Sequence, residues 1–256
     1  MNWFKNLLAI ASYTIDYEFR RFLPHTIVFG GLVFVGASST FNFFGLKFQE
    51  RVFYDLSLTL IGVLLVVLAL SLGVSNISQE IERRIVYTFI SKPLSRDQYF
   101  IGKFLGTSFF LFFAYVLFSL EVFFIVYFYT SKMKFIVFAA LGLQLVKSMI
   151  LLAFTMLLSI FVTAPITIAS TLLFYVFCEA SVLYVSTISE GIFRDILLFI
   201  KLLLPYFDYL NINQGIIFEK GAPVNIWYVF FAFIYGVSYL IFFLSLSTLL
   251  FSKKEL

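Results

Sequence analysis

The chain has 256 residues, 62% of them hydrophobic and 12% charged, with a mean hydropathy of +1.02 and a formal net charge of +4. Soluble domains carry about 25% charged residues, so this composition excludes an ordinary soluble fold and indicates an integral membrane protein. The apolar residues come in long runs rather than in alternation, which excludes a β-barrel and predicts an all-α membrane protein.

The first 22 residues are interrupted by Lys5, Asp16, Glu18, Arg20 and Arg21 and lack the continuous apolar region of a cleavable signal peptide. Residues 3–22 instead predict an amphipathic helix lying in the membrane interface. Phe4, Leu7, Leu8, Ala11, Ile15, Phe19 and Phe22 recur at three- and four-residue steps, while Lys5, Ser12, Asp16 and Arg20 fall opposite. Glu18 falls on the apolar face, out of pattern.

Six spans of roughly 20 or more apolar residues follow, near 24–44, 54–77, 104–130, 135–161, 165–188 and 226–251. Arg20 and Arg21 precede the first, Lys253 and Lys254 follow the last, and Arg83, Arg84, Lys92, Arg96 and Lys103 cluster between the second and third. The positive-inside rule makes these regions, and both termini, cytoplasmic. Dispersed charge of this kind gives no reason to expect nucleic acid as a partner. Pro165 marks the turn between spans four and five. Residues 189–225 form the longest outer segment, read as interfacial or re-entrant because its apolar stretch, ended by Pro205, is too short to cross. The whole chain is read as one transmembrane domain.

The charged run from Glu80 to Gly106 is the longest interruption of this apolar pattern. Ile81, Ile85 and Phe89 step by four, so residues 78–92 predict a short amphipathic helix that Pro93 ends. Ser95 stands where it can cap the helix of span three. A rigid peg joined to two spans can pass force into the membrane. Read from its residues alone, the run could equally be a solvated loop whose charges fix topology. Gly102-x-x-x-Gly106 fits close helix packing at the base of span three.

The segment resembles the signature of ABC-2 type transporter permeases, in which Glu-x-Glu-Arg-Gly-Thr is followed by Leu-Leu-Ser-x-Pro-Val-Ser-Arg and then Gly-Lys. Here Glu80, Ile81, Glu82 and Arg83 stand at the start, Ser91 to Arg96 in the middle, with Pro93 and Ser95 in register, and Gly102 and Lys103 at the end. Arg84 and Ile85 replace the usual Gly-Thr. The interfacial helix, the six spans and the outer segment before span six match the same layout. Leu204 to Tyr209 is similar to a stretch in the subgroup linked to multicopper-enzyme maturation. The resemblance implies two permease copies in a lipid bilayer, each docking a cytoplasmic ABC ATPase through the 78–103 coupling segment, with Glu80, Glu82, Arg83 and Arg84 at the dock. It implies an exporter in a prokaryotic plasma membrane, with ATP and Mg on the ATPase and no cofactor in this chain. Gly102-Lys103 precedes Phe104 and lacks the glycine loop of a G-x-x-x-x-G-K-[ST] motif, so the ATPase site is expected on a separate subunit.

Three ionisable residues fall within predicted spans, Glu121, Lys147 and Glu179. An unpaired charge at the bilayer centre costs about 2.5–3.5 kcal/mol on insertion scales, so pairing of Lys147 with Glu179 or Glu121 is expected. The pair either fixes helix packing or lines an export path. A competing reading is an ion-coupled secondary transporter built on these three residues. A membrane enzyme finds no support: Cys178 and His25 are the only residues of their types, so no disulfide forms within the chain and no Cys/His cluster has metal-ligand spacing.

Overall fold

The computed structural model describes residues 2–38, 46–82, 95–130, 135–187, 204–212 and 225–253, which are helical with short connections and contain no strand. In chain order the helices are α1 (Asn2–Arg20), α2 (Phe22–Ser38), α3 (Leu46–Asn76), α4 (Ser78–Glu82), α5 (Arg96–Thr130), α6 (Phe135–Ser159), α7 (Ala164–Thr187) and α8 (Ile226–Lys253). A single 3₁₀ turn, Phe207–Leu210, precedes α8.

Among the described residues four helical stretches are long and apolar enough to cross a bilayer: Phe53–Glu82, Arg96–Tyr127, Ile136–Ser159 and Ile226–Lys253. The pair α1 and α2 gives a fifth if counted as one broken span, since the two meet at 64° across Arg21. At about 1.5 Å per residue, the 17 residues of α2 reach only about 25 Å, short of a hydrocarbon layer of about 30 Å. The rest of the expected first span, 39–44, lies outside the described residues. In α7 the apolar stretch Ala164–Glu179 is shorter than a span on its own.

Helices α3 and α6 form the centre of the bundle and pack on each other; α2 and α5 flank α3, α8 covers α6, and α7 leans on α3 and α6. Leu58, Ile61, Leu65 and Leu68 of α3 meet Leu143, Ile150 and Met156 of α6 in one continuous core. The outer surface stays apolar: Phe29, Phe34, Phe231 and Phe242 are more than half exposed. Water does not tolerate such a surface, whereas lipid does, and helices satisfy their own backbone hydrogen bonds there.

Helix α1 differs from its expected form. Its buried stripe is Leu7, Ile10, Ala11, Thr14 and Glu18, packed on α5, while Phe4, Leu8 and Phe19 of the expected apolar face remain exposed. Two neighbouring apolar stripes, one for protein and one for lipid, account for a face that looked continuous in sequence. The coupling segment also starts differently. Helix α4 continues from α3 after a one-residue turn at Ile77, with the Ile81 amide bonded to the Ile77 carbonyl at 2.9 Å. The remainder of the expected 78–92 helix, including Arg83, Arg84 and Pro93, lies outside the described residues, as does most of 189–225.

Candidate functional site: the base of the bundle

The two ends of the charged segment close on each other. Lys103, on the second turn of α5, places its ammonium 2.5 Å from Glu80 Oε1, and the Tyr99 hydroxyl donates to Glu80 Oε2. Lys103 is 0% exposed and Glu80 5%. The ammonium also lies 5.6–5.8 Å from the ring centres of Tyr13 and Tyr17 on α1 and of Tyr99, an arrangement that favours a cation. An ion pair withdrawn from water is sustained only when its remaining valences are met, and here the tyrosines meet them. Glu80, expected on the docking surface, is therefore turned into the bundle. The reason is position: α4 stacks directly beneath α3, which aims its first turn at α5 instead of at solvent.

Glu82 is exposed and reaches the other way. Its Oε1 accepts the Ala164 amide at 3.1 Å and the Ser78 hydroxyl at 3.4 Å. Ala164 is the first residue of α7, whose leading amides have no partner within the helix, so Glu82 caps it and adds a negative charge at the favourable end of its dipole. One short helix is thus bonded to α5 through Glu80 and to α7 through Glu82.

The far side of the segment re-enters the bundle through a capping box. The Gln98 amide donates to Ser95 Oγ at 3.3 Å and the Ser95 amide donates to Gln98 Oε1 at 3.2 Å. Arg96 donates to the Ser252 carbonyl at 3.3 Å, tying the start of α5 to the end of α8. Gly102 and Gly106 form the flat strip on which α1 lies. A Cβ on Gly102 would meet Ile10 Cβ at 2.8 Å, and one on Gly106 would meet Thr14 Cβ at 2.5 Å. The expected close packing exists, and its partner is the N-terminal helix.

Glu18 belongs to this base and was not singled out as a site from sequence. Its buried carboxylate accepts Asn76 Nδ2 at 2.5 Å and lies 3.4 Å from Arg21. Asn76 is the last residue of α3, so Glu18 joins α1 to the point where the coupling segment begins. The signal was present: an acidic residue on an otherwise apolar helical face has to find a partner.

The intramembrane charges lie elsewhere. Lys147 pairs with Glu179 at 2.5 Å, as one of the two expected pairings had it. Glu121 is not in this pair; it rests against Gly36 of α2, and its Oε2 has no hydrogen-bond partner among the described residues. Among the described residues no group of three His, Cys, Asp or Glu side chains could hold a metal ion.

No curated protein matches the chain. The model of the ABC-2 family transporter proteins matches residues 6–256, nearly the whole chain, from α1 through the coupling segment to the last helix. The chain belongs to the ABC-2 family of transporter proteins and is a multi-pass membrane protein of the permease type.

Proposed function

We propose that this chain is the membrane-spanning subunit of an ATP-driven ABC exporter, working with a separate cytoplasmic ATPase and a second permease copy. The full count is six spans, with α2 in the first and α7 serving as the fifth. Both termini lie on the cytoplasmic side of a plasma membrane. ATP and Mg belong to the partner; this chain contributes motion.

The observation that carries the reading is the double attachment of α4. Glu80 binds Lys103 and Tyr99 of α5, and Glu82 caps α7 at Ala164. A partner that shifts the segment beginning at Ser78 moves the cytoplasmic ends of α5 and α7 together. Rigid elements joined by hydrogen-bonded charges are the physical means by which such a displacement travels. Docking is assigned to Glu82, Arg83 and Arg84, and transmission to Glu80 and Lys103. Charges at the dock orient the partner more than they add affinity.

The test is affinity purification in mild detergent, with mass spectrometry of what co-purifies. The intact chain is expected to bring a nucleotide-binding subunit in fixed stoichiometry. Arg83→Ala with Arg84→Ala is expected to lose it. Glu80→Gln is expected to keep the partner but lower transport per ATP hydrolysed. A partnerless protein in every sample would overturn the reading and favour an ion-coupled transporter using Glu121, Lys147 and Glu179.

A further inference from the structure

A second polar site lies far from the base of the bundle, in a cavity between α3, α6 and α7 that the outer turn Phe207–Leu210 closes from above. It is a partly open cavity of about 100 Å³. Lys147 and Glu179 form its charged wall, 2.5 Å apart. The Lys147 ammonium also faces the rings of Tyr175 and Phe207, at 5.0 and 5.5 Å. Gln144, 8% exposed, lines the same cavity. Its Nε2 donates to the Leu58 carbonyl at 3.0 Å, and its Oε1 has no hydrogen-bond partner among the described residues. Among the described residues the second oxygen of Glu179 receives only a long contact, 3.5 Å, from Asn211 Nδ2.

These atoms specify an occupant. Lys147 and Glu179 sum to zero, so a ligand of net charge would bury that charge in an apolar surround, which is costly. Two acceptors, Gln144 Oε1 and Glu179 Oε1, call for a donor, preferably cationic. Lys147 offers protons to an anionic oxygen. We propose that this cavity binds a net-neutral zwitterion with a primary ammonium beside an oxyacid, the ammonium on Gln144 and Glu179 and the acid oxygens on Lys147. The mouth is at Thr59 and Val63 of α3, both exposed, Val63 at 51%. An apolar rim suits a molecule whose remaining part is hydrocarbon. The shared chemistry fits either the phosphoethanolamine head of a lipid or a free zwitterion of that kind. Binding here does not depend on whether ATP drives the bundle.

The experiment is native mass spectrometry of the full-length chain in detergent, offered phosphatidylethanolamine, phosphatidylglycerol or diacylglycerol. Retention of the ethanolamine lipid about tenfold above the other two is expected, since charge-assisted hydrogen bonds at both ends separate it from an anion and from an uncharged head. Lys147→Met combined with Glu179→Gln keeps the wall neutral and is expected to abolish the preference while the melting temperature holds. Gln144→Leu leaves the ion pair whole and is expected to lower ethanolamine-lipid retention several-fold, so the test stands even where the double variant fails to fold. Competition by soluble glycerophosphoethanolamine assigns a free zwitterion as sufficient; its absence, with the preference intact, assigns the lipid. Equal retention of the three lipids by the wild type, a preference for phosphatidylglycerol, or a preference unchanged in both variants would overturn the proposal.

Discussion

Two ion pairs of the same length, 2.5 Å, one at the base of this bundle and one in its interior, each set an ammonium against aromatic rings but differ in how closed they are. Glu80 and Lys103 have side chains 6% and 0% exposed, and a tyrosine hydroxyl completes the carboxylate. Glu179 and Lys147 are 33% and 11% exposed, beside an amide oxygen without a partner among the described residues. A sealed, fully bonded pair holds its helices in one relation and suits the transmission of movement. An open pair with spare acceptors has bonding capacity left for something that is not part of the chain. On the proposed roles, identical chemistry serves as a joint at the base and as a receptor in the interior, and solvent access decides which.

The sharpest way to break this comparison is to remove one charge from the sealed pair. Lys103→Met leaves Glu80 buried and uncompensated, and is expected to destabilise the protein by about 3–5 kcal/mol. Adding Glu80→Gln should recover most of that loss, because the carboxamide no longer carries a buried charge. Thermal unfolding in detergent reads both effects, and a double variant as damaged as the single one would contradict the pairing. Next in size is the seat of α1. Gly106→Leu drives side-chain atoms into Thr14 and the Ala11 carbonyl, whose oxygen a Cβ alone would meet at 2.8 Å. Overpacking of this kind costs about 1–3 kcal/mol. With Cys178 replaced by Ser, a cysteine introduced at Ala11, a residue 7% exposed, is expected to react with maleimide slowly in the wild-type background and rapidly in Gly106→Leu.

The two regions also differ in how far they could be read from sequence. Among the described residues helix existence was legible almost throughout, because runs of about 20 apolar residues have few alternatives in a bilayer. The cap at Ser95 and the small-residue strip at Gly102 and Gly106 were legible because each rests on short spacing within one helix. The Lys147–Glu179 pairing was legible as one of two choices, since buried charges seek opposites. Glu80–Lys103 was not. The two residues are 23 positions apart, and periodicity within an element says nothing about which face of α4 meets α5. Glu80 therefore read as a surface charge. Glu18 showed only as a flaw in an amphipathic pattern, whereas in the fold that flaw is the contact to Asn76.

A smaller effect is expected at the open pair. Lys147→Met leaves Glu179 unpaired, but one-third exposure lets the carboxylate be solvated from the mouth, so the loss should be about 1–2 kcal/mol, below that of Lys103→Met. Glu179→Gln in the same chain should restore stability. The comparison depends on the ratio of the two single-variant losses, measured by thermal unfolding under one set of conditions. Equal losses would mean that both pairs are sealed, and the outer cavity would then lose its claim to spare bonding capacity.

The smallest effect is expected where the coupling segment re-enters the bundle. Ser95→Ala removes the hydroxyl that accepts the Gln98 amide and should cost about 1 kcal/mol, the usual worth of a helix cap. Its interest lies in the contrast with Lys103, two turns further along α5. If the base transmits movement as one body, loosening the first turn of α5 lowers transport per ATP hydrolysed by more than so small a stability loss explains, while the ATPase still co-purifies. If transmission runs through Glu80 and Lys103 alone, Ser95→Ala leaves that ratio unchanged and Glu80→Gln lowers it. Measuring both variants in one reconstituted preparation separates a rigid base from a single joint.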